Sequence, residues 1–253
     1  MAGRRVFRVC YPVESGRQIP NSSPPVGSRE YGASDGVPSS IRYETEVMQE
    51  TVVRRLFGLV LDSIVGMSRT RANYWLEFVL DTALGMTFLI EGVVRHAPPL
   101  AVVPLVLLGL FVFSFIEYFF HRWLFHGSLG LMAQGHAAHH DNPRGYDSLP
   151  FFLPALVLSG LSGLAVLAMP AADALLLSSG IALGYVTYGL SHYLIHHVRF
   201  RHALVRKWAA YHHIHHYHPD RNYGVTTPLW DVLLGTRYVS AQNFSRPRQG
   251  VSP

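Results

Sequence analysis

The sequence predicts an all-α integral membrane protein, a bundle of four transmembrane helices capped by a cytosolic His-rich helical domain. Three observations lead there. Four stretches are long and apolar enough to cross a bilayer, histidines recur at helical spacing beside them, and almost every cation falls on one side of the implied membrane. The chain has 253 residues, 49% hydrophobic and only 15% charged, which is greasier than an ordinary soluble domain.

The elements follow in chain order. Residues 1–43 are rich in Arg, Ser, Pro and Gly and lack helical periodicity, which predicts a disordered N-terminal segment. No apolar run follows Arg4–Arg5 and Phe7, so no cleaved signal peptide is expected. Residues 44–73 predict an amphipathic interfacial helix, with Val47, Val52, Leu56, Val60 and Ile64 recurring around Arg54 and Arg55. Packing of that helix against the cytosolic domain is the alternative. A span needs about 20 mainly apolar residues, which places crossings at about 74–94, 97–120, 151–169 and 171–195 within a membrane domain covering 74–240. Glu77, Asp81 and Glu91 weaken the first span, and tight turns are expected at Arg95–Pro99 and Met169–Asp173.

With the amino terminus in the cytosol, Arg95 alone of the 21 Lys and Arg residues lies on the far side, as the positive-inside rule requires. Both termini and the histidine clusters are then cytosolic. The cap comprises residues 121–150 and 196–240, and residues 241–253 form a flexible tail. Arginine dominates and Lys207 is the only lysine, which suggests a bacterial plasma membrane. A net charge of +5 beside such long apolar stretches argues for membrane topology and against nucleic acid as the partner. The single cysteine, Cys10, excludes an internal disulfide, an iron–sulfur cluster and a thiolate zinc site.

Fourteen of the fifteen histidines fall between His121 and His218, in the clusters HRWLFH, HAAHH, HYLIHH and HHIHH. On an α-helix, offsets of three and four return to one face, whereas an offset of one turns away by about 100°. His136, His139 and His140 therefore share a face, as do His192 and His196, and as do His212, His215 and His216. His197 and His213 point off these faces. His121 and His126, five apart, diverge on an ideal helix and converge only if the chain bends near Phe125–Gly127. Ten convergent rings are too many for one metal and suit two. His96, His202 and His218 stand in turn-like or basic settings and are expected to be structural or solvated.

Imidazole suits zinc, copper, iron and nickel alike. The hydrolytic H-E-x-x-H motif is absent. Glu117 precedes His121 by four residues, so the E-x-x-H pairs of soluble di-iron bundles are not matched. An all-nitrogen pair of metals remains.

These clusters, followed by YGVTTPLWDVLLGT (Tyr223 to Thr236), resemble the fatty acid hydroxylase / sterol desaturase superfamily from about Tyr74 to Tyr238. YGLSHYLIHH (Tyr188 to His197) and the HHY, GVT, WD and GT ending are most similar to fatty acid 2-hydroxylases. Gly189 departs from the acidic residue that eukaryotic members usually carry there. The resemblance implies two irons held by His121, His126, His136, His139, His140, His192, His196, His212, His215 and His216. It also implies O2 as co-substrate and hydroxylation of a lipid acyl chain in the bilayer, with fatty acid 2-hydroxylation the leading form. Zinc binds such sites more tightly than ferrous iron and can occupy them in purified protein.

The chain has no GxGxxG segment and no haem signature, so electrons are expected from a separate ferredoxin or cytochrome-b-type donor. Arg199, Arg201, Arg206 and Lys207 are its expected docking face. Phe119, Phe120, Trp123, Phe125, Tyr193 and Trp230 are candidates to line an acyl-chain approach, with interfacial anchoring as the alternative. Asp141, Asn142, Asp220 and Asn222 are candidates to orient ligand rings, or else turn residues. Asp231 is assigned a structural or ring-supporting role. Two other functions are consistent with this pattern: a sterol or carotenoid hydroxylase or desaturase of the same superfamily, and a His-rich membrane metal transporter. A transporter should carry ionisable residues along its spans, and residues 100–113 and 151–168 have none.

Overall fold

A computed structural model describes residues 39–95, 100, 102–127 and 130–240. The disordered segment and flexible tail expected at the ends, the turn at Arg95–Pro99 and His96 lie largely or wholly outside them. The chain divides into residues 1–51, which contribute the start of α1, and residues 52–253, which hold everything described below. Every described element is helical: α1 (Ser39–Ser68), α2 (Arg71–Arg95), α3 (Val102–Phe119) running into a π-helix (Phe120–Phe125), α4 (Gly130–Asp141), α5 (Leu153–Ala168), α6 (Ala171–His197), α7 (Ala203–Tyr217) and a short α8 (Leu229–Leu233). α1 begins five residues before the interfacial helix expected from sequence and exposes Val52, Leu56, Phe57 and Val60.

Helix α6 is the central element, packing against α2, α3 and α5. Its buried face is rich in small residues, Ala174, Ser178, Ser179, Gly180, Ala182 and Gly184, with Leu176 among them. Small residues let helix backbones approach closely where lipid supplies no hydrophobic drive. At the tightest point a Cβ on Gly180 would sit 2.2 Å from the Val106 carbonyl oxygen and 2.8 Å from the Gly109 Cα. Gly180→Val must therefore separate α3 from α6. The expected cost exceeds the roughly 1–3 kcal/mol of ordinary overpacking, because the clash is with backbone. Gly163→Ala on α5 meets open space and should be neutral. Thermal melts of the two variants in detergent check this; equal melting temperatures would contradict the close crossing.

Polarity in this assembly is turned inward. Asn73, Glu77 and Asp81, one helical turn apart, are the buried face of α2, and Glu77 accepts a hydrogen bond from the Tyr185 hydroxyl of α6. Asn73 holds the α4–α5 connection, donating to the Ser148 hydroxyl (2.9 Å) and the Leu149 carbonyl (2.7 Å) and accepting from the Phe151 amide (2.9 Å). The apolar residues Val79, Ile90 and Val94 of α2, Leu107 and Phe111 of α3, and Leu156, Leu161 and Leu164 of α5 face outward. Two helices, Val102–Phe125 and Ala171–His197, are long and apolar enough to cross a membrane. α5 is apolar but 16 residues long, and α2 carries charges through its length. Pro170 alone separates α5 and α6 apart from the cap residue Met169, so the tight turn expected there is present.

Candidate metal centre

The rings enter from four directions. His121 lies in the π-helix and His126 is its C-terminal cap, where the His126 amide donates to the His121 carbonyl at 3.3 Å. That i→i+5 bond is the π signature. It widens the turn so that residues five apart share a face; the helix then ends at Phe125 and the chain bends at His126 and Gly127, as expected from sequence. α4 contributes His136, His139 and His140, the end of α6 contributes His192 and His196, and α7 contributes His212, His215 and His216.

All ten residues singled out in the sequence fall into two groups of five. His121, His126, His136, His140 and His215 form the first, and His139, His192, His196, His212 and His216 the second; within each group the nitrogens lie within 4.8 Å of one another. The shared helix faces are thus split: His139 of α4 turns to the second group while its neighbours turn to the first, and α7 divides between His215 and the pair His212 and His216. The Nε2 of His136 lies 3.1, 2.9 and 3.0 Å from those of His121, His126 and His140, and His126 Nε2 lies 3.0 Å from His215 Nε2. In the second group His212 Nε2 is 3.1 Å from both His196 and His216, and His139 is 3.3 Å from His216.

Hydrogen bonding among the rings does not account for this convergence. A neutral imidazole has one N–H and one lone pair, so His136 Nε2 can share one hydrogen bond and not three. His121 Nδ1 donates to the Tyr223 carbonyl and His215 Nδ1 to the Arg221 carbonyl (2.7 Å). Both donations fix the tautomer that leaves a lone pair on Nε2, aimed at the centre of the group. His192 Nε2 is buried with no hydrogen-bond partner. Converging lone pairs of this kind fit a pair of metal cations in an all-nitrogen donor set.

A strap of residues 221–226 carries the two accepting carbonyls, and buried carboxylates hold it on both sides. Asp231 of α8 accepts from the amides of Tyr223 (2.9 Å) and Gly224 (2.7 Å) and from the Thr236 hydroxyl (2.6 Å). Glu117, one turn before His121, accepts from the amides of Val225 (2.6 Å) and Thr226 (3.0 Å) and from the Thr226 hydroxyl. Asn222 takes the left-handed conformation (φ 55°) and ties the strap to Tyr211 and Tyr238. Sequence reasoning reached Asp231 but missed Glu117 and Thr226. The ring-orienting acceptors are backbone carbonyls, and Asn142, Asp220 and Asn222 follow the turn alternative. Asn142 closes a turn with Gly145, Asp220 is exposed beside Arg221, and Asp141 acts on His140 only through its charge.

Burial, then repulsion from neighbouring rings, lowers the histidine pKa values. His126 and His216 are held at about 4, and His215 at about 3 despite its carbonyl partner. Each folded value lies below the unfolded 6.5, so the unfolded chain takes up more protons and acid favours unfolding. Metal-free protein should hold this stability above about pH 6.5 and lose it progressively towards pH 3–4. Thermal melts across that window check it, and a melting temperature that rises on acidification would contradict it.

The remaining histidines stand apart from both groups. His197 bonds the Tyr193 carbonyl (3.0 Å) and stacks on that ring, His213 is exposed, His202 caps α7, and His218 stacks on Tyr238. Among the aromatic candidates, Phe125 stacks on His136 and lines a cavity of about 240 Å³ with His126, His136 and His140. Phe119, Phe120 and Trp123 are partly exposed beside it in sequence. Tyr193 and Trp230 are engaged elsewhere, Trp230 against Phe111 and Phe115 with its Nε1 donating to Ser114. A Cβ at Gly189 would lie 3.0 Å from the tip of the Phe78 ring, so a side chain there requires Phe78 to shift.

The fatty acid hydroxylase family model matches residues 106–236, just over half of the chain and all ten rings. The chain belongs to the fatty acid hydroxylase family. Within that family it is similar to the dihydroceramide fatty acyl 2-hydroxylase FAH1 of Arabidopsis thaliana, at 32% identity over 144 residues, 53% of this chain and 61% of that protein. It is 33% identical to the human fatty acid 2-hydroxylase over 144 residues, 52% of this chain and 39% of that one. The solved structure of full-length scs7p, in which only the hydroxylase domain is visible, matches with a TM-score of 0.60 at 25% identity over 69% of each chain. The chain thus spans about two-fifths to three-fifths of the length of these curated relatives.

Proposed function

We propose that this chain is a membrane-bound di-iron monooxygenase that hydroxylates a lipid acyl chain at its second carbon. The observation that carries the reading is the pair of five-histidine groups in a chain of this family, built on helices whose polar faces are buried and whose apolar faces point outward. The fatty acyl 2-hydroxylases among its relatives support the substrate class and the position. Iron at the two positions would supply the chemistry, insertion of one oxygen atom of O2 into a C–H bond while the other leaves as water with two electrons and two protons.

The chain's own residues perform the rest. The ten rings present neutral nitrogens, because burial keeps those of the cap unprotonated at neutral pH. His121 and His215 are oriented by carbonyls of the strap. Phe125, stacked on His136, and Ala133 and Ala137 supply the apolar part of the cavity beside the first group, where an acyl chain can approach. Four helices, α2, α3 with its π-helix, α5 and α6, form the membrane bundle in this reading. α1 lies in the interface, and the histidine cap faces the cytosol with both termini.

Electrons come from a separate ferredoxin or cytochrome-b-type donor. Arg199 and Arg201, on the segment that leads into the His-bearing α7, and Arg206 and Lys207, in its first turns, are all exposed and suit an acidic partner. Reversing these four charges should slow turnover with a reconstituted donor at least tenfold at low salt and leave iron content unchanged. An unchanged rate would remove this face from the account. The reading as a whole is tested by lipid mass spectrometry of cells with and without the gene. A gain of one oxygen on the acyl chain beside the carbonyl is expected. Loss of two hydrogens, or oxidation of a sterol or carotenoid ring, would assign the chain to a different reaction of its family.

A further inference from the structure

The two histidine groups differ in how their rings are supported. In the first, His121 and His215 each hand their Nδ1 proton to a carbonyl of the strap. In the second, His212 and His216 turn Nε2 towards the shared centre, so metal binding there requires the proton on Nδ1. Both of those Nδ1 atoms are buried and have no hydrogen-bond partner. A buried N–H without an acceptor penalises the tautomer that coordination demands. An N–H given to a carbonyl favours it, fixes the ring and raises the basicity of the coordinating nitrogen.

The strap's position is itself determined by Glu117 and Asp231, and the two carboxylates act at opposite ends of it. Asp231 fixes the Tyr223 and Gly224 amides from α8; Glu117 fixes Val225 and Thr226 from α3, the helix that continues into His121. Tyr118 adds a third tie, its hydroxyl lying 2.9 Å from the Thr236 hydroxyl that also donates to Asp231. One helix thus carries both a ring of the first group and the carboxylate that places that ring's acceptor. Nothing comparable reaches the unpartnered nitrogens of the second group among the described residues.

We infer that the two metal positions are inequivalent: the group His121, His126, His136, His140 and His215 binds its ion first and more tightly, and Glu117 is a positioning residue for that ion through the strap. The inference rests on the two-metal reading above. It implies that a singly loaded protein is a stable species and that the second ion is the one lost to chelators and dilution. Reversible supply of the second ion would then set the fraction of competent protein.

The test is a titration of metal-stripped full-length protein in detergent with Zn2+, competed against a chromogenic chelator. Two steps are expected, the first tighter by at least about tenfold, which is the scale on which a ring's hydrogen-bond partner alters metal affinity. His121→Ala should delete the tight step and keep the weak one, and His212→Ala the reverse. Glu117→Gln should weaken the tight step about tenfold or more with the weak step unchanged. Thr226→Val, close in shape to threonine, removes one donor to Glu117 and should act in the same direction. Thr226→Ser restores that hydroxyl and should restore the affinity. Two indistinguishable steps in the unaltered protein would overturn the inference, as would loss of the tight step in His212→Ala. Equal weakening of both steps by Glu117→Gln and by Thr226→Val would reduce Glu117 to a general structural role. Failure to bind any ion would instead remove the two-metal reading on which the inference stands.

Discussion

His139→Ala and His215→Ala should each abolish the hydroxylated lipid product, lowering it at least a thousandfold, on the order of what losing a ligand to the reacting metal costs. The two residues are chosen because they sit in different groups, His215 among the rings of the first and His139 among those of the second. If both metals are needed for one reaction, the losses are equally complete even though the variants keep different ions. His213→Ala is the matched control. Its ring is exposed, one residue from His212 and 5.5 Å from the His196 ring, and it belongs to neither group. Product formation by that variant should stay within a few-fold of the unaltered protein. Cell lipids analysed by mass spectrometry read all three. Retained product in His139→Ala or His215→Ala would exclude that group from the reaction.

Asp231→Leu should be the most destabilising single substitution in the cap. The carboxylate is fully buried and accepts two amides and one hydroxyl. Leucine leaves the two buried amides unpaired, at about 1–3 kcal/mol each, and leaves the Thr236 hydroxyl only Tyr118 as partner. The total is a large share of the ~5–15 kcal/mol stability of a typical domain. Asp231→Asn keeps one accepting oxygen and should fall between the two. Thermal melts in detergent measure both, with the order aspartate, asparagine, leucine expected. The variant should also lose metal, because the Tyr223 carbonyl that orients His121 is released with the strap. A leucine variant as stable as the parent would show that the strap is held by other means.

These two predictions mark where the sequence is legible and where it is not. The rule that residues three and four apart share a helix face selects eight of the ten rings that converge in space, because ligand spacing is a local property of a helix. How a face divides between two centres is not local. His136, His139 and His140 look equivalent in sequence, yet His139 meets the α6 rings while His136 meets those of the π-helix and its cap. The pair His121 and His126 shows a different limit. Spacing by five signals that an ideal helix fails there, and both a bend and a π-turn cure it.

Glu117 was legible only as an acid in an apolar run. Its partners lie 108 and 109 residues away, and no periodicity links them. The four spans expected from hydropathy correspond to helices of differing character. α3 with its π-helix and α6 read clearly because they are long and apolar, whereas α2 buries Glu77 and Asp81 and exposes the apolar residues that a simple average dilutes. Gly180 and Gly109 likewise carry no sequence signature of the crossing they permit.

The most direct test of the account is the metal content and ligand type of the purified protein after reconstitution with ferrous iron without oxygen. The account predicts two irons per chain, a coordination shell dominated by imidazole nitrogen in X-ray absorption spectra, and a fall to one iron in His121→Ala. One iron or none in the unaltered protein, or a shell dominated by carboxylate oxygen or by sulfur, would contradict it.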